Sequence, residues 1–206
     1  NAYLKRVIFI SSTSIFTKLN AKSKKTRIEA EKLIVNSNLI WTIIRPTMIF
    51  GSPKDRNMIK LINWIDKMAF IPIFGRGNNF QQPIYVKDLA WSIAEIIENK
   101  NTYNEIFDLS GLEPLTFREI IRIISYYLGK KIMIVFLPYL IFSKILLLLE
   151  SFGIRFFIKS EQILRLNEDK IFPNEKAKNI FGYKPTEFNK AIFEEIKIYK
   201  RKKMKK

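Results

Sequence analysis

The chain has 206 residues, 48% hydrophobic, 14% aromatic and 27% charged, enough to bury one substantial core and too apolar for a disordered chain. It contains neither cysteine nor histidine, which excludes disulfide staples, thiol chemistry, the usual zinc sites and every Ser-His-Asp or Cys-His arrangement, and no metal site is expected. The net charge of +17 raises an anionic partner, but six basic residues crowd positions 200–206 and lysine dominates arginine throughout, a bias that an AT-rich genome produces without selection for a polyanion.

Val7-Ile8-Phe9-Ile10 reads as a buried strand that stops at Ser11-Ser12-Thr13-Ser14. A start at Asn1, so close to a core strand, predicts the C-terminal part of a longer protein, and no signal-peptide pattern is recognisable. The spacing of Ala30, Leu33 and Ile34 predicts a helix over 22–36. Leu39–Ile44, β-branched and aromatic, is a second buried strand closed by Arg45-Pro46. Strand, helix and strand within forty residues predict a parallel βαβ unit covered on both faces.

A helix follows over 56–68. Gly75-Arg76-Gly77 has no third glycine and no helix after it, so it reads as a turn. Leu89, Ile93, Ile96 and Ile97 recur at helical spacing, with Asp88 as the expected N-cap. Ile106–Leu109 is another strand. Thr116 and Glu119 form a capping box for a helix carrying Ile120, Ile121, Ile124 and Leu128, with Gly129 at its end.

Residues 132–149 hold one charge, Lys144, and one proline, Pro138. The run meets the minimum length of a membrane span, but Pro138 splits it, and the helix it starts is expected to reach Ile158. There Ser143, Lys144, Glu150, Ser151 and Arg155 form a narrow polar stripe against a broad Leu, Ile and Phe face. Such a helix packs into a core or dimer, lies in a membrane interface, or spans.

Four segments together resemble a known family. Val7–Phe16 (VIFISSTSIF), Thr42–Gly51 (TIIRPTMIFG), Gln82–Ala90 (QPIYVKDLA) and Ser110-Gly111 followed by Glu113–Thr116 are similar, in order, to the second half of the extended short-chain dehydrogenase/reductase superfamily. The branch is that of the NAD-dependent epimerases and dehydratases, including its NmrA-like members. The resemblance implies an α/β fold with a Rossmann-like parallel sheet, of which this chain carries the second half. The N-terminal βαβ unit with its glycine motif is absent from it. Residues 1–131 would form that half with substrate-side elements, and residues 132–206 a smaller, mostly helical region with a basic tail.

By the same resemblance the cofactor is NAD or NADP. Ser12 matches the serine that orients the substrate hydroxyl. Ser11, Pro46, Thr47 and Met48 lie along the cofactor, and Gln82 and Tyr85 face substrate. The family's general acid/base tyrosine and its partner lysine fall on Ser23 and Arg27. A serine hydroxyl cannot trade protons near neutrality, and an arginine cannot give up its proton, although it can still bond a ribose. Gln81 stands where sugar-nucleotide epimerases carry a diphosphate-binding arginine, a charge that Arg45, Arg56 or Arg76 would have to replace.

Two functions follow as expectations. One is an atypical NAD(P)-binding protein, performing hydride transfer or epimerisation if it is active. The other is a non-catalytic scaffold that docks at a membrane surface or on a partner subunit through residues 139–158 and the basic tail. Both place the protein in the cytoplasm, the second at the inner face of a membrane. The sequence lacks helix-turn-helix, zinc and RNP-type patterns, which argues against nucleic acid as partner.

Overall fold

The computed structural model describes residues 5–19, 21–52, 54–55, 57–152 and 164–204. Strand β1 (Arg6–Ile10), helix α1 (Lys22–Val35) and strand β2 (Ile40–Pro46) form the expected unit, with β1 and β2 parallel and Ile10 opposite Ile44. Between α3 (Val86–Ile97) and α4 (Phe117–Leu128), strand β7 (Glu105–Leu109) joins the other side of β2, again parallel. β2 is therefore central, and Thr42, Ile43 and Ile44 are fully buried, as a continuous apolar run in a parallel sheet requires. β1 departs from the expectation of a strand covered on both faces. It is half-buried and Ile10 is 40% exposed, because β1 forms the edge of the sheet with β2 as its one described neighbour.

Short strands carry the chain outward from this sheet. β3 (Ile49–Phe50) runs parallel to β6 (Ile84–Tyr85), and β4 (Phe70–Phe74) parallel to β9 (Met133–Leu137). β5 (Phe80–Gln81) pairs antiparallel with β8 (Leu115–Thr116). The Gly75–Gly77 turn links β4 to β5, with both glycines at positive φ (97° and 66°), a conformation that side-chain-bearing residues resist.

Two apolar clusters hold these elements. One joins the sheet residues Ile44, Phe107 and Leu109 to Leu89 and Ile96 of α3, and is completed by Phe181 of α6 (Glu175–Phe181) and by Tyr183. The other packs α2 (Met58–Lys67) and α4 against α7 (Phe188–Met204) through Ile62, Ile65, Ile120, Ile124, Ile192 and Ile196. The α4 capping box is present in both directions, with Glu119 N donating to Thr116 Oγ1 at 3.2 Å and Thr116 N to Glu119 Oε2 at 2.7 Å. Gly129 ends the helix in the left-handed region.

Asp88 is not the N-cap of α3. β6 runs directly into that helix, Tyr85 holds the cap position and Asp88 falls in the first turn. Its carboxylate instead accepts the backbone N–H of Thr186 at 2.8 Å and the Thr186 hydroxyl at 2.7 Å.

Helix α5 (Tyr139–Ser151) follows β9 after Pro138. Its orientation reverses the pattern expected of an amphipathic helix. Ser143 and Leu146 are buried, while Leu140, Ile141, Ile145, Leu147 and Leu148 are each 46% exposed or more. Ser143 satisfies its hydroxyl by donating to Leu140 O at 3.0 Å, which is how a polar residue can face inward. Lys144 sits among the exposed apolar side chains. Among the described residues no helix is long and apolar enough to cross a membrane. The expected continuation to Ile158 with Arg155, and also Arg56, Lys205 and Lys206, lie outside the described residues.

Candidate functional site

In an open parallel sheet, ligands bind beyond the carboxyl ends of the strands. Here those ends deliver Ser11–Thr13 from β1, Arg45–Thr47 from β2 and Asp108–Ser110 from β7. Backbone and side-chain bonds lace them together. Ser11 N donates to Ile44 O at 2.7 Å, Thr13 Oγ1 to Pro46 O at 3.3 Å and Thr47 N to Leu109 O at 2.9 Å. Ser12 caps the 3₁₀ turn Thr13–Phe16, its Oγ accepting from Ser14 N at 3.1 Å. That bond spends a lone pair and not the Ser12 proton.

A charged triad lies beneath this rim. Arg45 reaches Glu31 of α1 with Nε at 3.0 Å and Nη2 at 2.5 Å, and Asp108 lies 3.7 Å from its Nη1. Burial works against the Glu31 charge, but the hydrogen bonds and charge of Arg45 outweigh it and hold the carboxyl below its ordinary range. The same pairing raises Arg45 against its own desolvation. Asp108 is pushed up by burial, with the Arg45 charge opposing. The Arg45 guanidinium also lies 5.2 Å from the centre of the Phe16 ring. Glu31 was not singled out in the sequence, although an arginine ending a buried apolar strand demands a counter-charge.

The triad fixes α1 over the end of β2. Ser23, Arg27 and Glu31 follow each other at intervals of four along one side of that helix. Ser23 is exposed, Arg27 half-exposed and Glu31 buried. Arg27 thus stands one turn, about 6 Å, from the group that anchors the helix, and its charge helps to hold Glu31 ionised.

The remaining residues singled out from sequence lie deeper. Thr47 is buried and donates its hydroxyl to Gln82 O at 2.6 Å. Gln82 uses both ends of its amide on backbone, donating to Gly111 O at 2.8 Å and accepting from Phe172 N at 2.9 Å. Met48 packs against the second apolar cluster. Tyr85 is buried there, its ring 5.8 Å from that of Phe50. The triad's neighbours Ser11, Ser12 and Pro46 are the ones brought together at the rim; Gln82 and Tyr85 belong to its supports.

A strap that sequence reasoning missed crosses the same edge. Thr17 Oγ1 and Lys18 N donate to the Glu168 carboxylate at 2.6 and 2.8 Å. Lys170 donates its backbone N–H to Phe80 O at 2.9 Å and its ammonium to Gln81 Oε1 at 3.2 Å. Burial lowers that ammonium to about 8, with the Glu168 charge opposing. The Phe172 ring then meets Phe16 at 5.6 Å. The strap therefore contacts Gln81 at the position where a diphosphate-binding arginine was expected. No local pattern announces such contacts, since the hydrogen bonds join residues 89 to 151 positions apart.

Residues 7–129, more than half of the chain, match the 3-beta hydroxysteroid dehydrogenase/isomerase family. The chain belongs to that family. A chloroplast stem-loop binding protein of 41 kDa from Arabidopsis thaliana is 29% identical over 128 residues, covering 55% of this chain and 34% of that protein. Subunit 9 of the mitochondrial NADH dehydrogenase (ubiquinone) 1 alpha subcomplex from the same plant is 26% identical over 119 residues, covering 57% and 29%. The chain thus spans about a third of these curated relatives.

The fold likewise matches the crystal structure of UDP-glucuronic acid 4-epimerase from Bacillus cereus, in complex with UDP-glucuronic acid and NAD. The TM-score is 0.67 at 19% identity, covering 94% of this chain and 62% of the epimerase. The Rossmann-like arrangement implied by the four sequence segments is therefore the observed one. Family membership also gives the strand ends their context, since the rim at Ser11–Thr13 and Arg45–Thr47 lies within the matched residues.

Proposed function

We propose that this chain is the nicotinamide-side part of an NAD(P)-binding protein whose tyrosine–lysine pair is replaced by Ser23 and Arg27. One observation supports the reading: the Glu31–Arg45 ion pair at 2.5 Å ties α1, on which Arg27 lies one turn before Glu31, to the end of β2. Arg27 and Ser12 fit the ribose and nicotinamide end of a dinucleotide. Ser12 keeps a proton to donate, and Arg27 is a permanent cation with several N–H donors. Pro46, Thr47 and Met48 provide the neighbouring wall. A bound nicotinamide dinucleotide would supply hydride chemistry there.

This chain's own residues bind and orient. With serine in the tyrosine position no side chain at Ser23 can act as a matched general base near neutral pH, so proton transfer from that position is lost while the cofactor contact is retained. The reading is tested by fluorescence titration of the full protein with NADH and NADPH. Arg27→Met is expected to weaken binding about tenfold, the scale of one lost charged hydrogen bond. Absence of binding at millimolar dinucleotide ends the reading.

A second reading, docking in a larger assembly or at a cytoplasmic membrane face, is favoured by the exposed apolar face of α5. It is compatible with the first, because a cofactor-holding fold without its proton relay can still serve as a scaffold. The NADH dehydrogenase subunit among the relatives is, by its name, part of such an assembly.

A further inference from the structure

A hollow of about 520 Å³ opens between α4 and β9, well separated in sequence from the strand-end rim. Arg118, Arg122 and Tyr126 line it from one side of α4, at intervals of four. Ile134 and Phe136 line it from alternate positions of β9, and Lys130, Lys131 and Ile132 lie between the two elements. Four cations therefore surround an apolar floor, and among the described residues no acidic side chain lines it.

Two carboxylates that neighbour its cations are already engaged. Asp66 accepts from Lys203 at 2.6 Å and Tyr199 at 2.8 Å, leaving Lys130 a loose contact at 3.8 Å. Glu119 accepts from Thr116 at the cap, within reach of the Arg122 charge. Arg118 donates to Asn78 at 3.3 Å and its guanidinium lies 5.3 Å from the centre of the Phe136 ring.

The hollow does not stand alone. Tyr126 is 79% exposed and Phe136 49%. Phe136 lies three residues before α5, whose outward face is leucine and isoleucine with Lys144 among them. Exposed apolar surface of that extent on a soluble fold marks a binding face. A free phosphate or a nucleic acid would use the cations and leave the leucines in water; a neutral apolar partner would cover the leucines and leave the basic rim without a full counter-charge. An anionic phospholipid surface satisfies both, because phosphates meet the basic hollow while the leucines enter the acyl boundary.

We propose that the face formed by α4, β9 and α5 docks on an anionic lipid surface, with lipid phosphates held by Arg118, Arg122, Lys130 and Lys131. This deepens the docking reading and is independent of dinucleotide binding. It also moves the electrostatic contact from the C-terminal tail to the hollow.

The test is flotation of the full chain with vesicles of phosphatidylcholine alone, or with about 30% phosphatidylglycerol, at about 0.1 M and about 1 M salt. The protein is expected to float with the anionic vesicles at low salt only. Arg122→Ala with Lys131→Ala should lower the bound fraction about tenfold or more, since each basic residue near such a surface contributes roughly fivefold. Leu140→Ser with Leu148→Ser should lower it as well; both side chains are exposed, so the fold is kept. NADH titration of these variants should match the parent, which separates this proposal from the cofactor reading. Equal binding to both vesicle types overturns it. So does loss only on neutralising Arg201 and Lys202, or binding to an RNA hairpin or inorganic phosphate with no binding to vesicles.

Discussion

Glu195 of α7 accepts the backbone N–H of Gly51 at 2.9 Å, across 144 residues of sequence. Its side chain is 1% exposed, and neither Glu195 Oε1 nor the facing Asp55 Oδ2 receives a donor from another residue. Asp55 Oδ1 meanwhile accepts from Asn57 N and Ile59 N at the start of α2. A proton on Glu195 can bridge the two oxygens. Burial first, then the Asp55 contact and charge, push Glu195 up to about 9, with the Gly51 N–H pulling the other way.

The folded state keeps this proton up to about pH 9, whereas the unfolded glutamate releases it near 4.5. Over that window the folded state binds more protons, so stability falls as pH rises. Urea midpoints should decline between these limits with a slope of at most about 1.4 kcal/mol per pH unit from this group. Glu195→Gln should flatten the decline; an unchanged slope refutes the shared proton.

The Glu31–Arg45 pair is expected to behave as a buried ion pair whose halves are costly to separate. Glu31→Ala should lower stability by about 3 kcal/mol, because it leaves the guanidinium without its main partner. Arg45→Lys with Glu31 intact should lose part of the same stability, since a lysine cannot make the two-nitrogen contact. Glu31→Ala with Arg45→Met should recover most of the loss, a comparison read as a double-mutant cycle from denaturant unfolding.

Gly51 sits at φ 99°, and a Cβ there would overlap the Tyr85 ring. Gly51→Ala therefore meets both backbone strain and a closed space, and should cost about 2 kcal/mol or more. Near-UV circular dichroism should change at the same time, because Tyr85 must move. A silent alanine substitution would mean that the ring has room to shift.

Thr116→Ala removes one direction of the α4 capping box and should cost about 1 kcal/mol. Thr116→Ser should restore most of it. Thermal midpoints of the three proteins decide the matter.

Much of the frame was legible locally. The β-branched run at 39–44 became the central strand, and Thr116, Glu119 and Gly129 marked both ends of α4, because strand burial and helix caps depend on residues a few positions apart. The rim at Ser11–Thr13 and Arg45–Pro46 was legible for the same reason. What failed locally was decided at long range. Asp88 resembled an N-cap but serves Thr186, since β6 feeds α3 without a break. Ser143 resembled the solvent side of α5 but faces inward, because its hydroxyl can be satisfied on its own helix. Glu31, Glu168 and Glu195 gave no signal of their roles, each of which depends on a partner in another element.

The last forty residues of the described chain are woven into everything before them. Asn174 and Tyr183 bond the backbone at Ser110, Thr186 bonds Asp88, Glu195 bonds Gly51 and Lys203 bonds Asp66. During synthesis the two apolar clusters remain incomplete until this stretch leaves the ribosome, since Phe181, Tyr183, Ile192 and Ile196 fill them. Assembly of this fold thus waits on its final elements, and a nascent chain stalled before α6 would expose β7 and α4 to the cell's chaperones.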